Sequence, residues 1–96
     1  MVFYDPDKEG AQSKLFLYTL STCVHCRAAK KLLAELGAAY DYVDVDTLPE
    51  DQMNEALEEM SQYNPAQSFP TILAGSRVIV GFHDEDIRKA AAKMKA

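Results

Sequence analysis

The feature that most constrains this chain is a pair of cysteines three positions apart, in the segment Cys23-Val24-His25-Cys26. The pair follows an apolar run at residues 15–20 and precedes an amphipathic stretch, a pattern typical of a strand that turns into a helix. The sequence contains two cysteines in total, far fewer than the disulfide framework that stabilises many small secreted domains. We therefore expect the pair to have a chemical or metal-binding role at a strand-to-helix turn.

Apolar periodicity predicts elements in the order β-α-β-α-β-β-α. Strands are predicted at residues 15–20, 40–46, 71–73 and 77–80, and helices at residues 23–36, 49–63 and 84–95. The nearly continuous apolar character of the first strand indicates burial on both faces, as in a central strand. A right-handed crossover would make the first two strands parallel, and a short turn would make the last two antiparallel. The fold class is therefore α/β, with a mixed four-stranded sheet flanked by three helices.

Length and charge narrow the classes of function. At 96 residues the chain has room for one domain, which we place at residues 15–96, after a flexible leader at residues 1–14 that lacks a periodic apolar pattern. The net charge of −5, without a large basic patch, argues against nucleic acid as a partner. No apolar run is long enough to cross a bilayer, and residues 1–10 do not resemble a secretory signal. We expect a cytoplasmic monomer without a membrane partner.

Cys23 and Cys26 are the candidate catalytic residues. The helix dipole and unpaired backbone N–H groups favour a thiolate at a helix N-terminus, so Cys23 is predicted to be the nucleophile, with a lowered pKa. Cys26 lies one turn later, within reach of a disulfide, and is predicted to be the more buried resolving cysteine. His25 and Thr22 are the predicted tuning residues, and His25 is expected to favour the Cys23 thiolate by hydrogen bonding or charge. Ser21 or Thr22 is also expected to cap the helix.

Zinc binding is the main alternative use of two close cysteines. A closed structural zinc site needs four ligands, and besides Cys23 and Cys26 the sequence offers two histidines, His25 and His83. His25 lies too near both cysteines in sequence to complete the usual geometry, so no metal site is predicted. A purely structural pair of cysteines is a further alternative, which would leave both thiols unreactive in the native protein.

Three segments carry a resemblance to a known family. They are Leu17-Tyr18-Thr19-Leu20-Ser21-Thr22-Cys23-Val24-His25-Cys26, Ser68-Phe69-Pro70-Thr71 and Val80-Gly81-Phe82-His83-Asp84. In this order they resemble the active-site strand and turn, the cis-proline loop and the glycine turn before the last helix of the glutaredoxin family. The resemblance implies a thioredoxin-like fold and a thiol-disulfide oxidoreductase that reduces protein or glutathione mixed disulfides.

The resemblance also implies which residues contact the substrate. Phe69 and Pro70 would be joined by a cis peptide bond that faces the cysteines, and their backbone would pair with an incoming substrate strand. His83 and Asp84 lie at the start of the last helix, where Asp84 is also a candidate cap. Their backbone N–H groups would bind the γ-glutamyl carboxylate of glutathione. No bound cofactor is expected, and glutathione is a candidate reductant.

Two departures from the family pattern bear on the electron donor. Glutaredoxins often have a lysine a few residues before the first cysteine, where this chain has Thr19 and Leu20, and many have a second glycine at the position of Phe82. The pair Gly81-Phe82 is similar to the glutaredoxin-like redoxins that serve ribonucleotide reductase and accept electrons from thioredoxin reductase. Thioredoxin reductase is thus a second candidate donor. The alternative function is a glutathione-assisted iron-sulfur or metal-binding module, which some glutaredoxins form.

Overall fold

The strands and helices follow one another in the predicted order. The computed structural model describes residues 3–5, 14–75 and 77–94. Its elements are β1 (Leu15–Thr19), α1 (Val24–Glu35), β2 (Tyr40–Asp44), α2 (Glu50–Ser61), β3 (Thr71–Ala74), β4 (Arg77–Val80) and α3 (Asp84–Met94). The predicted α/β class is confirmed. None of the helices in these ranges has both the length and the apolar character of a membrane span.

The second strand ends earlier than the sequence pattern predicts. The chain leaves β2 after Asp44 and forms a short 3₁₀-helix at Val45–Thr47. The hydroxyl of Thr47 donates a hydrogen bond to the carbonyl oxygen of Asp44 at 2.7 Å, which favours this turn over a longer strand. The alternation of polar and β-favouring residues continues to Asp46, so the alternation alone could not locate this end.

One sheet contains the four strands in the order β2-β1-β3-β4, so β1 is central as predicted. β1 pairs in parallel with β2, with Thr19 opposite Asp44, and antiparallel with β3, with Tyr18 opposite Thr71. β3 and β4 form the predicted hairpin, in which Thr71 lies opposite Val80. This register places the ends of β1, β2 and β4 and the start of β3 at the same end of the sheet.

The two faces of the sheet bury separate apolar clusters. The cluster under α1 and α3 contains Leu15, Leu17, Ala29, Leu32, Leu33, Ala38, Ile72, Ala74, Ile79, Ile87, Ala90 and Ala91. The cluster under α2 contains Tyr4, Phe16, Tyr18, Met60 and Leu73. Phe16 and Tyr18 alternate along β1 with Leu15 and Leu17, as the two-residue period of a strand requires. Helix α1, which carries the cysteine pair, is therefore fixed against one face of the central strand.

The start of the chain contacts the α2 side of the domain. Residues 1–2 and 6–13 of the predicted leader lie outside the described residues, so its boundary stays a prediction. Tyr4 is buried, and the centroid of its ring lies 5.5 Å from that of Phe16. The backbone N–H groups of Phe3 and Tyr4 donate to the carboxylate of Glu59 at 2.9 and 3.2 Å. Phe3 and Tyr4 are thus packed on the domain rather than separate from it.

Candidate active site

Cys23 is the N-cap residue of α1. Its backbone is extended, with φ −83° and ψ 121°, and its Sγ accepts a hydrogen bond from the backbone N–H of Cys26 at 3.4 Å. The turn before it closes through the N–H of Cys23, which donates to the carbonyl of Leu20 at 3.2 Å. The expectation that Ser21 or Thr22 caps the helix is therefore wrong. The thiol of Cys23 takes the place of a capping hydroxyl, because the turn brings the cysteine to the cap position.

Cys26 lies one helical turn behind Cys23 and is fully buried, whereas Cys23 is partly exposed. The Cys26 Sγ accepts a hydrogen bond from the backbone N–H of Leu20 at 3.5 Å. Both cysteines are free thiols in this structure. The pair thus consists of one thiol that a partner molecule can reach and one that faces the interior.

The two thiols have pKa values shifted in opposite directions. Partial burial opposes ionisation of Cys23, but hydrogen bonds from the Cys26 thiol and from the N–H groups of Cys26 and His25 outweigh it and lower the pKa of Cys23. Burial raises the pKa of Cys26 to about 12. The N–H of Leu20 and the charge of Lys30 oppose that rise. Near neutral pH the negative charge therefore resides preferentially on Cys23.

The two predicted tuning residues surround Cys23 without burying it. His25 contributes its backbone N–H to the Cys23 sulfur, and its imidazole is exposed. Thr22 is exposed in the turn directly before Cys23. Val24, between Cys23 and His25, is 72% exposed. These positions leave an open surface around the Cys23 sulfur.

The peptide bond between Phe69 and Pro70 is cis, as predicted. Pro70 is buried, Phe69 is partly buried, and the sheet register places Pro70 beside the end of β1, where the cysteine turn begins. The side chain of Asn64 fixes this loop, because its amide donates to the carbonyl of Ser68 at 3.3 Å and to the hydroxyl of Thr71 at 3.0 Å. The sequence analysis did not identify Asn64.

A third loop joins the other two at this end of the sheet. The N–H of Gly81 donates to the carbonyl of Pro70 at 2.8 Å, and Gly81 has φ +86°, a region that favours glycine. His83 is exposed, and its carbonyl accepts the N–H of Ile87 at 2.9 Å as α3 begins. Asp84 is the first residue of α3, and its carboxylate accepts a hydrogen bond from Arg88 Nε at 2.6 Å.

Two aspartates at and just after the end of β2 contact the cysteine turn or the helix that follows it, and the sequence motifs did not reveal either of them. Asp46 accepts the N–H and the hydroxyl of Ser21 at 2.8 and 2.6 Å, and these hydrogen bonds lower the pKa of Asp46. Asp44 forms an ion pair with Lys30 of α1 at 2.9 Å. The available signal was the parallel pairing of β1 with β2, which brings residues after β2 beside residues after β1.

The acidic residues, cysteines and histidines were also compared with the requirements of a metal site in the part of the chain that the structure describes. Within the described residues, no group of three or more His, Cys, Asp or Glu side chains is arranged to hold a metal ion. His25 and His83, the other ligands considered with the cysteines, are both exposed on separate elements. The site therefore consists of the partly exposed Cys23 thiol and the buried Cys26 thiol with loops around them.

Comparisons with known proteins agree with this arrangement. The chain matches the Glutaredoxin family model over residues 15–79. A glutaredoxin of Neisseria meningitidis serogroup A is 36% identical over 69 residues, which cover 71% of this chain and 75% of the relative. Methanoredoxin from Methanosarcina acetivorans has a crystal structure with a TM-score of 0.78 and 43% identity, covering 83% of this chain and 85% of its own. The structure of NrdH-redoxin from Escherichia coli, a glutaredoxin-like protein with a thioredoxin-like activity profile, has a TM-score of 0.66 and 26% identity. The match covers 79% of this chain and 92% of NrdH-redoxin.

Proposed function

The chain belongs to the glutaredoxin family, and on that premise we propose that it reduces protein or glutathione mixed disulfides through the dithiol pair Cys23 and Cys26. One observation carries the proposal. The partly exposed Cys23 sulfur accepts a backbone N–H at the start of α1, while the Cys26 sulfur is fully buried one turn behind it. An attacking thiol needs access and a stabilised thiolate, and a resolving thiol needs only proximity to the first.

In the first step the Cys23 thiolate attacks one sulfur of a substrate disulfide. A bond forms between Cys23 Sγ and that sulfur, the substrate S–S bond breaks, and the departing thiolate takes up a proton. The N–H groups of His25 and Cys26 hold the charge of Cys23 before the attack. They form part of the helix N-terminus, so the stabilisation requires no movement of the protein.

In the second step Cys26 resolves the mixed disulfide. Its thiol loses a proton, its sulfur attacks Cys23 Sγ, and the bond between Cys23 and the substrate sulfur breaks. The products are the Cys23–Cys26 disulfide and a second substrate thiol, so two electrons pass from the protein to the substrate. A reductant must then return the pair to the dithiol form.

The loops around Cys23 supply the surface for the substrate. The backbone beside Pro70 lies at the start of β3, where it would pair with an extended substrate segment, and Phe69 and Val24 provide apolar contacts. The backbone at His83 and Asp84 would contact the carboxylate of a glutathione moiety. These contacts position the disulfide sulfur near Cys23 rather than take part in the chemistry.

Thioredoxin reductase is the proposed electron donor, with glutathione as a weaker one. The first turn of α3 carries three acidic side chains, Asp84, Glu85 and Asp86, and these form ion pairs with Arg88, Lys89 and Arg77, so the cations near this turn are already engaged when a carboxylate approaches. Leu20 offers no positive charge in compensation. The structural similarity to NrdH-redoxin and its thioredoxin-like activity profile support this order of donors. A dithiol used as a reductant suits a reducing compartment, so the cytoplasm stays the proposed location.

Activity measurements on cysteine variants test the function. Insulin disulfides and a small mixed glutathione disulfide serve as substrates, each with thioredoxin reductase or glutathione and its reductase as donor. Cys23→Ser is expected to lose activity on both substrates, because no other exposed thiolate replaces it. Cys26→Ser is expected to lose insulin reduction and to retain part of the glutathione-dependent reaction. Full activity of Cys23→Ser, with a native circular dichroism spectrum, would refute the proposal.

A further inference from the structure

The resolving step presents a problem that the cysteine motif alone does not solve. Cys26 must lose its proton to attack Cys23, yet the interior around Cys26 favours the neutral thiol. One hydrogen bond, from the N–H of Leu20 at 3.5 Å, faces its sulfur. A positive charge near Cys26 would favour ionisation of its thiol, and Lys30 of α1 carries such a charge.

Lys30 lies four residues after Cys26 on α1, so the two side chains share one face of the helix, one turn apart. The lysine does not extend freely into solvent. Its Nζ lies 2.9 Å from Asp44 Oδ1, and each of these side chains is 20% exposed. The same nitrogen lies 3.8 Å from the centroid of the Tyr42 ring, which adds a cation–π contact.

Asp44 is itself held in place from the central strand. Its Oδ1 accepts the hydroxyl of Thr19 at 2.6 Å, and this hydroxyl also lies 3.1 Å from the carbonyl of Val43. Thr19 is fully buried and directly precedes Leu20, the residue whose N–H meets the Cys26 sulfur. The ammonium is thus fixed between α1 and β2, and Thr19 of β1 holds the aspartate that it meets. An exposed lysine would instead sample many rotamers and be screened by water.

We propose that Lys30 is a positioning residue for the resolving step, whose ammonium, fixed by Asp44 and Tyr42, favours the thiolate of Cys26 as it attacks the mixed disulfide. The inference rests on the proposed dithiol function. In this step the proton of the Cys26 thiol passes through solvent to the departing substrate thiolate. The Cys23–Cys26 bond forms as the bond between Cys23 and the substrate sulfur breaks.

The charges that act on the Cys26 sulfur agree with this role. The Cys23 side chain, on the same helix, opposes ionisation of Cys26, whereas the Leu20 N–H and Lys30 favour it. The carboxylate of Asp44, on β2, pairs with the Lys30 ammonium and reduces the net electrostatic effect of that ammonium on the Cys26 sulfur. Burial still keeps the pKa of Cys26 raised, and the Lys30 ammonium opposes that rise together with the larger effect of the Leu20 N–H.

The test compares Lys30→Met with Lys31→Met, the same change at an exposed neighbour on the same helix. Methionine keeps most of the aliphatic length of lysine and removes the charge. Loss of a nearby charge is expected to raise the pKa of Cys26 by about one unit, which cuts its thiolate fraction about tenfold. Because a more basic thiolate is also a better nucleophile, roughly threefold per unit, the resolving step should slow by about threefold.

An aromatic disulfide that releases a coloured thiolate separates the two steps in a stopped-flow experiment. The first equivalent reports attack by Cys23 and the second reports resolution by Cys26. Lys30→Met should slow only the second phase, while Lys31→Met should change neither. Lys30→Arg, which keeps the charge, should restore the second phase to within about twofold of the unmodified rate. In a Cys23→Ser background, the pH profile of Cys26 alkylation should shift upward for Lys30→Met alone.

The outcomes distinguish this inference from the function on which it rests. If the unmodified protein releases no second equivalent, the dithiol function fails. If it releases two equivalents but Lys30→Met resolves as fast as Lys31→Met, the function stands and the role of Lys30 is overturned. The same conclusion follows if Lys30→Arg is as slow as Lys30→Met, because the lysine would then act through packing and not through its charge.

Discussion

The carboxylate of Glu59 binds three hydrogen-bond donors from two distant parts of the chain. It accepts the N–H of Phe3 at 2.9 Å, the N–H of Tyr4 at 3.2 Å and the hydroxyl of Tyr18 at 2.6 Å. Tyr18 is fully buried in the central strand, so water does not replace the carboxylate if Glu59 is removed. Glu59→Ala is therefore expected to lower the free energy of unfolding well beyond the effect of an ordinary surface substitution.

The size of the effect follows from the environment of each donor. A buried hydroxyl left without a partner costs about 1–3 kcal/mol. The two N–H groups belong to the start of the chain and regain water more easily, so each adds about 0.5 kcal/mol, the low end for a hydrogen bond. The total is about 2–4 kcal/mol, which for a domain of this size corresponds to a fall in Tm on the order of 10–25 °C.

Thermal and urea unfolding measure this loss, with Glu58→Ala as the control. Glu58 is the exposed neighbour on the same helix, and its removal is expected to change stability by less than about 0.5 kcal/mol. Tyr18→Phe removes the donor, so in the double variant with Glu59→Ala the two losses should sum to more than the measured total. If Glu59→Ala is as stable as Glu58→Ala, or if the two losses add fully, the reasoning about the buried hydroxyl is wrong.

Two further predictions concern the electron donor and the buried thiol. Leu20→Lys is expected to improve the glutathione-dependent rate several-fold, since one partly exposed charge-assisted contact contributes on the order of 1 kcal/mol. Phe82→Gly should raise the glutathione-dependent rate further if the phenyl ring narrows the turn. If neither Leu20→Lys nor Phe82→Gly changes that rate, the interpretation of these two positions is contradicted. The raised pKa of Cys26 means that burial of the neutral thiol stabilises the fold fully below pH 9.0 and loses this contribution as the pH rises toward about 12. The stability of the unmodified protein relative to Cys26→Ala should therefore fall across this range in urea titrations, and a constant difference would count against it.

Local sequence patterns were sufficient to predict most of the fold. The apolar run at residues 15–20 identified the central strand, and the helical spacing of Ala29, Leu32 and Leu33 identified the helix that carries the cysteines. The cis bond before Pro70 followed from family resemblance rather than from the residues themselves, because most X-Pro bonds are trans.

The contacts that the sequence did not reveal join residues distant along the chain. Glu59 lies 41 residues from Tyr18, so no local pattern pairs the two side chains. Lys30 and Asp44 are 14 residues apart, and only the register of β1 with β2 shows that they meet. Periodicity identifies which side of an element faces the core, but it does not identify which polar side chain meets which.

The most direct test of the central claim is the rate at which iodoacetamide alkylates each cysteine of the reduced protein, followed by mass spectrometry as a function of pH. The account predicts that Cys23 is modified much faster than Cys26 near neutral pH, because Cys23 is accessible and its pKa is lowered by hydrogen bonds at the helix start. The midpoint of its rate against pH should lie below that of an ordinary cysteine thiol. Equal rates for the two cysteines, or faster modification of Cys26, would contradict the assignment of attacking and resolving thiols.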